Sequence, residues 1–161
     1  MLRELTLADA LAVCADMRPA DAQCVRAVAG RDPGEWFAVE RWQTYGPAWV
    51  LEQDGQPWAI GGLALRNAWV GTLWLVVRPG LSGQSWRKAI RHARTLVANA
   101  LDPDNPQRRH RIEAHVLHGW GGASEFAARL GLRLEGVMHQ AGAQGESIEV
   151  WAITGPVKGS A

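Results

Sequence analysis

The chain has 161 residues, of which 47% are hydrophobic and 20% are charged, and its formal net charge is +1. This length suits a single domain that buries a real core, and the composition is that of an ordinary globular protein. The near-zero net charge argues against nucleic acid as a partner. No apolar run reaches the length of a membrane span and no secretory signal opens the chain, which favours a cytoplasmic protein without membrane contact.

The cysteines and tryptophans indicate packing rather than metal or nucleic-acid chemistry. Cys14 and Cys24 are the two cysteines, and neither lies in a spacing suited to zinc, so they are interpreted as reduced thiols and no metal site is predicted. The nine tryptophans are spread along the chain. This distribution favours roles in the core and in the wall of a groove.

The first 47 residues are predicted to be helical. Thr6 and Asp9 stand at the spacing of a capping box, which predicts a helix that starts at about residue 7. The three predicted helices run from about 7 to 16, from Pro19 to about 29, and from near Pro33 to the stop at Gly46-Pro47.

Residues 48–154 carry the signals of a sheet, and 155–161 are expected to form a tail of the same single domain. The predicted elements are a hairpin around Asp54-Gly55, a strand over 68–77, a helix over 84–100, a strand over 110–117, a short helix ended by Gly131, and two last strands, "LRLEGVMHQ" and "SIEVWAITG". The strand–helix–strand unit should be parallel and the hairpins antiparallel. The prediction is an α/β fold with a mixed sheet and helices on its faces.

The stretch "VVRPGLSGQSWRKAIRHAR", residues 76–94, predicts an anion site at a strand-to-helix corner. Helix starts offer unpaired N–H groups and a positive dipole end, and small residues leave those groups accessible. The alternative is a plain turn followed by a solvated basic face. We favour the solvated face for Arg91 and Arg94, and both alternatives stay open for Arg87 and Lys88.

Two segments, "LWLVVRPGLSGQ" and "EFAARLGLRLEGVMHQ", stand in an element order that resembles the GNAT superfamily of acetyl-CoA-dependent N-acetyltransferases. The resemblance covers about residues 48–154. It implies a GNAT-like fold with a splayed pair of parallel strands and acetyl-CoA or CoA as the cofactor. The combination of "PWAIGG", "LSG" and a basic helix is also similar to GNAT-like proteins that tailed bacteriophages encode among their virion genes.

The resemblance also implies which residues bind the cofactor. Those expected to meet the pantetheine arm are Leu75, Val76 and Val77. Those expected to hold the pyrophosphate through backbone N–H groups are Leu81, Ser82, Gly83, Gln84, Ser85 and Trp86, with Arg87 and Lys88 nearby. Trp120 and Phe126 are expected to flank the thioester.

The chain departs from the family pattern at two places. The second glycine of the phosphate loop is replaced by Ser85 or Arg87, depending on alignment, and a side chain there narrows the approach to the backbone. Many members carry a tyrosine where this chain has Ala127, so the common general acid is missing, and Tyr45 is the sole tyrosine.

Glu113 and His115 lie on one face of the strand over 110–117, beside the expected cleft. As catalytic residues, Glu113 would act as a general base through water, and His115 as a base or acid near neutral pH. As structural residues, Glu113 would pair with Arg111 or Arg133, and His115 would be an ordinary sheet-face histidine; this structural interpretation is favoured.

Two functions follow from these observations. The first is transfer of an acetyl group from acetyl-CoA to an amine of a small molecule or protein. The second is a GNAT-like protein without turnover that serves as a structural or binding part of an assembly such as a phage particle, with virion proteins as its partners. A tryptophan-rich hairpin is compatible with a homodimer. Fold resemblance cannot choose between these functions, because function resides in the site.

Overall fold

The computed structural model describes residues 1–157 and is built from a mixed sheet and helices. The strands are β1 (Leu2–Glu4), β2 (Ala48–Gln53), β3 (Gln56–Ala64), β4 (Val70–Val77), β5 (Arg111–Leu117), β6 (Arg133–Met138) and β7 (Ile148–Thr154). The helices are α1 (Leu7–Ala15), α2 (Pro19–Ala29), α3 (Glu35–Gln43), α4 (Gly83–Leu101) and α5 (Gly121–Arg129). Every helix and strand predicted from the sequence is present.

Local signals explain where several elements begin and turn. The Thr6 side chain accepts a hydrogen bond from the Asp9 N–H, and the Asp9 side chain accepts one from the Thr6 N–H, so the predicted capping box starts α1. Asp54 and Gly55 have φ angles of 53° and 74°, which a two-residue hairpin of type I′ requires. Gly131 has a φ of 90° and follows α5, as predicted for a left-handed cap.

The sheet has the strand order β1-β2-β3-β4-β5-β7-β6. Its neighbouring strands are antiparallel except β4 and β5, which are parallel and joined through α4. The predicted parallel unit and antiparallel hairpins are therefore confirmed. β7 lies between β5 and β6, so β6 is an edge strand.

Two boundaries differ from the prediction. The third predicted strand begins at Val70 rather than at residue 68, because the Asn67 side chain accepts hydrogen bonds from the N–H groups of Trp69 and Val70 and holds a turn there. The short strand β1 was not predicted; it pairs with β2 from Leu2 opposite Leu51. Of the expected tail over 155–161, residues 158–161 lie outside the described residues.

The core has one layer on each face of the sheet. On one face, Val13 of α1 and Ala38 of α3 pack against Ile60 of β3. On the other face, Ala89 of α4 packs against Leu51 and Val77. Because β-strand side chains alternate, successive residues of β4 point into opposite layers. The end of β4 therefore lies between the helices on the two faces of the sheet.

Within residues 1–157, no helix combines the length and the apolar character that crossing a bilayer requires. The same residues contain no group of three or more His, Cys, Asp or Glu side chains placed to hold a metal ion. Both cysteines are free, and burial raises the pKa of Cys14 to about 11.

Candidate active site at the divergence of β4 and β5

The parallel strands β4 and β5 separate after three residue pairs. Val70, Gly71 and Thr72 lie opposite consecutive residues of β5, and the ladder ends there although both strands continue. Leu75 and Val77 are past the last pair. Arg78 donates its N–H to the Trp58 carbonyl of β3, so by alternation Val77 and Leu75 direct their peptide groups away from β3 and into the gap. We call this gap between the ends of β4 and β5 the seam.

The corner after β4 offers peptide N–H groups to an anion, although fewer than the sequence suggested. The N–H of Ser82 donates to Gln53 Oε1 at 2.9 Å, that of Ser85 donates to Ser82 Oγ at 3.1 Å, and that of Trp86 donates to the Ser82 carbonyl. Among the described residues, the N–H groups of Leu81, Gly83 and Gln84 have no such partner.

The surroundings of Gly83 suit a negatively charged group. A Cβ placed on Gly83 would meet no atom within 4 Å, so the peptide groups on either side are accessible. Gly83 and Gln84 form the first turn of the 19-residue helix α4, which contains no acidic residue in that turn. Arg87 and Lys88 follow and are exposed. The positive end of the helix dipole and the two cationic side chains would all attract a negatively charged group.

The structure places Ser85 inside the corner and Arg87 outside it. Ser85 is 7% exposed, and its hydroxyl lies 3.1 Å from Ser82 Oγ. Its side chain therefore fills space behind the loop rather than above the free N–H groups. Arg91 is exposed, as expected for a solvated face, and Arg94 donates from Nε to the Arg129 carbonyl at 2.7 Å.

Phe126, one of the two aromatic residues expected beside a thioester, contacts Trp86 rather than Trp120. The rings of Trp86 on α4 and Phe126 on α5 lie 5.8 Å apart in an edge-to-face arrangement. The Arg18 guanidinium lies 5.3 Å from the centre of the Trp86 ring and 5.4 Å from that of Trp120. Tryptophans from two sides of the seam therefore enclose one cation.

The side chains of the β4 residues divide between the two layers. Val76 packs into the α1 layer, whereas Leu75 and Val77 pack beneath α4. These side chains belong to the core. A ligand in the seam would meet the peptide groups of Leu75 and Val77.

Glu113 and His115 share the β5 face that lies opposite to α4 and α5. Glu113 accepts a hydrogen bond from Arg111 Nε at 2.7 Å, and His115 Nε2 lies 3.3 Å from its other oxygen. Arg111 also binds Glu135 on β6, and these bonds hold the pKa of Glu135 below its usual value. The predicted pairing of Glu113 with Arg111 is confirmed. The site nevertheless keeps a half-buried carboxylate beside an exposed imidazole.

The position at which many family members carry a tyrosine is buried in the core of this chain. Ala127 is 3% exposed and packs among Ala93, Leu130 and Leu132. Tyr45 cannot replace the missing group, because its carbonyl accepts the Leu65 N–H just beyond the end of β3, where β4 begins, whereas the seam lies where β4 ends. It borders an open hollow of about 460 Å³ there, away from the seam.

Sequence reasoning missed a buried carboxylate on the far side of the seam. Glu149 is 7% exposed and accepts hydrogen bonds from Ser124 Oγ at 2.7 Å and Trp151 Nε1 at 2.8 Å. His118 Nδ1 lies 2.9 Å from its second oxygen. Burial raises the pKa of Glu149, but these three hydrogen bonds outweigh it and lower the pKa overall. The alternation of "SIEVWAIT" would have placed Glu149 on a buried face.

Sequence reasoning also missed Arg18 and Asp21 at the start of α2. Asp21 is 3% exposed, and Arg18 binds it through Nε at 2.6 Å and through Nη2 at 3.3 Å. Burial raises the pKa of Asp21 against the attraction of Arg18. The i, i+3 spacing of opposite charges was visible in "RPAD", but its position at the seam was not.

The chain has the fold of known acetyltransferases. A phosphinothricin acetyltransferase of the GNAT superfamily from Sinorhizobium meliloti, solved with acetyl-CoA, aligns with a TM-score of 0.70 at 18% identity over 99% of this chain and 94% of the other. The ribosomal-protein-S18-alanine N-acetyltransferase of Escherichia coli gives a TM-score of 0.69 at 14% identity, over 99% and 96% of the two chains.

YncA from Salmonella typhimurium, solved with its cofactor acetyl-CoA, gives a TM-score of 0.68 at 14% identity over 99% of this chain and 96% of the other. No protein-family model and no curated protein matches the chain. These structural similarities confirm the predicted GNAT-like fold. They give no support to the bacteriophage subgroup, and the homodimer stays a prediction.

Proposed function

We propose that this chain is an acetyl-CoA-dependent N-acetyltransferase that acts on an amine of a small molecule or a protein. One observation carries the proposal. The parallel pair β4 and β5 separates after three residue pairs, directly beside a helix start with free N–H groups. Structures of similar fold include acetyltransferases solved with acetyl-CoA.

The phosphate half of acetyl-CoA fits the corner after β4. The free N–H groups of Leu81, Gly83 and Gln84 would donate to diphosphate oxygens, and Arg87 and Lys88 would add positive charge. No Cβ stands in front of Gly83 to exclude the ligand.

The pantetheine half fits at Leu75, whose peptide groups face the seam. At Val77 the fit requires a local change, since the Val77 carbonyl already accepts the Arg18 N–H at 2.8 Å. Trp120 and Phe126 would remain the apolar wall on the β5 side.

Glu113 is the general base that we propose for the reaction. Acetyl-CoA would supply an acetyl group activated as a thioester. A protonated amine acceptor must lose a proton before its nitrogen can attack the thioester carbonyl; as the C–N bond forms the C–S bond breaks, and the CoA thiolate leaves by taking a proton from water. Glu113 is half-buried and keeps lone pairs beyond those that Arg111 occupies, so it would take this proton through water. His115, at 3.3 Å from Glu113, would pass the proton to solvent.

A GNAT-like protein without turnover is the second candidate. Two observations favour it: Ala127 provides no acid at the position where many family members carry a tyrosine, and Arg18 lies between the tryptophans at the seam. In this case the protein would bind partners, with or without CoA as a ligand, and would transfer no acetyl group.

Thermal unfolding with and without excess acetyl-CoA tests the proposal. A ligand at about a thousand times its Kd adds roughly 4 kcal/mol, which raises the midpoint by several degrees in a domain of this size. Gly83→Val is the matched variant. It should unfold at the wild-type temperature without ligand, because space around Gly83 is open, and it should lose the acetyl-CoA shift. No shift for the wild-type protein rules out the proposed function.

Turnover is measured by release of the free CoA thiol across a panel of small amines and peptide amino termini. An acetyl-CoA shift combined with thiol release that depends on an amine supports the enzyme. A shift without release for any amine supports the second candidate, with CoA as a bound ligand.

A further inference from the structure

Helix α2 lies across the seam and engages both of the diverging strands. At its start, the Arg18 N–H donates to the Val77 carbonyl at 2.8 Å, and the Asp21 carboxylate accepts the Val77 N–H. One turn along, Cys24 packs against Leu117 at the end of β5 and accepts its N–H. Peptide groups that the separation of β4 and β5 would leave unpaired are thereby satisfied from within the chain.

The Arg18 side chain closes the space above these peptide groups. Its guanidinium lies between the rings of Trp86 on α4 and Trp120 after β5, at 5.3 and 5.4 Å from their centres. Asp21, which is 3% exposed, holds the guanidinium with two hydrogen bonds. The side chain of Arg18 is 25% exposed, so one edge of it remains accessible to solvent.

We infer that Arg18 is a latch that occupies the place of the pantetheine arm and leaves the seam when a ligand with such an arm binds. This inference rests on the proposed function. The Val77 carbonyl already accepts the Arg18 N–H on the side of β4 that an arm lying in the seam would approach. The guanidinium fills the apolar slot between Trp86 and Trp120 that an arm would need. The latch meets the phosphate corner through the Trp86 ring and not through the free N–H groups of Leu81, Gly83 and Gln84.

Because the latch touches one half of the site, its removal should affect ligands selectively. Breaking the contacts of a cation with two aromatic rings is a cost that every arm-bearing ligand must meet before it binds. Arg18→Ala removes that cost in advance and should tighten acetyl-CoA binding by roughly tenfold. ADP carries a diphosphate and no arm, so its affinity should not change.

Calorimetric titration with acetyl-CoA and with ADP tests the latch in wild type, Arg18→Ala and Arg26→Ala. Arg26 is the matched control, since it lies on the same helix and binds the exposed Asp32. The expected result is tighter acetyl-CoA binding for Arg18→Ala alone, with equal ADP affinities in all three proteins.

The loss of Arg18 leaves Asp21 buried without its cation, which threatens folding. The double variant Arg18→Gln with Asp21→Asn removes both charges and keeps polar partners, and it should show the same selective gain. If wild type binds acetyl-CoA and neither variant binds it more tightly, the latch is overturned and the proposed function is not affected. Absence of acetyl-CoA binding in every protein overturns both.

Discussion

Asp9 anchors the first helix to the first strand, and its replacement by Asn should show a pH-dependent loss of stability. Its carboxylate accepts two hydrogen bonds from Arg3, at 2.7 and 2.9 Å, and two from the N–H and hydroxyl of Thr6, at 3.0 and 2.6 Å. The residue is 5% exposed. Asn keeps the shape of the side chain, but it loses the charge and half of the accepting capacity.

The size of the effect follows from the pKa of Asp9. The hydrogen bonds from Arg3 lower it from 3.8 to about 2. Because the folded-state pKa is the lower one, ionised Asp9 stabilises the fold above pH 4, and this contribution is lost as pH falls towards 2. At about 1.4 kcal/mol per pKa unit, the carboxylate contributes about 2 kcal/mol at neutral pH and roughly half of that at pH 3.

Urea unfolding between pH 3 and pH 7, followed by tryptophan fluorescence, measures this contribution as the difference between wild type and Asp9→Asn. The control is Asp32→Asn, because the Asp32 side chain is 81% exposed and its ion pair with Arg26 should be worth less than 1 kcal/mol. A difference for Asp9→Asn that is equal at pH 3 and pH 7 would refute the reasoning, as would no difference at pH 7.

Three further predictions concern the sheet and the seam. Gly61→Ala places a Cβ 2.5 Å from the buried Trp49 ring, so it should lower the free energy of unfolding by roughly 1–3 kcal/mol, whereas Gly83→Ala should not lower it; equal urea midpoints would contradict this. Glu113→Gln should reduce acetyl transfer by about a hundredfold or more while the Kd for acetyl-CoA is unchanged, and full activity would exclude it as the base. Glu149→Ala should cost about 2–4 kcal/mol because three donors lose their acceptor, whereas Glu149→Gln, which keeps one oxygen, should cost about 1 kcal/mol; similar losses in urea unfolding would argue against this network.

The sequence predicted those features whose causes are close together in the chain. The capping box of Thr6 and Asp9 and the turn at Asp54-Gly55 are set by residues within three positions of each other. The alternation of β5 placed Glu113 and His115 on one face correctly, because side chains of a strand alternate regardless of context.

The rest depended on contacts between distant residues. Arg18 meets Val77 across 59 positions, and Glu149 meets His118 across 31, so no local pattern could bring them together. The three residues of β1 form a strand only because β2 provides an edge. The number of free N–H groups at the corner after β4 was overestimated. The N–H groups of Ser85 and Trp86 are occupied locally by Ser82, but that of Ser82 is occupied by the Gln53 side chain, which comes from a distant hairpin.

The short ladder between β4 and β5 divides the sheet into a four-stranded part and a three-stranded part that share three residue pairs. Helix α4 packs against both parts and connects them. Val97 and Ala100 pack with Leu63 and Ile112, and Ala93 packs with residues of α5. Small side chains along this helix allow it to pack closely against both parts of the sheet and hold them together. Larger side chains at these positions would shift one part of the sheet relative to the other. The width of the seam would change although none of the residues that line it had been replaced.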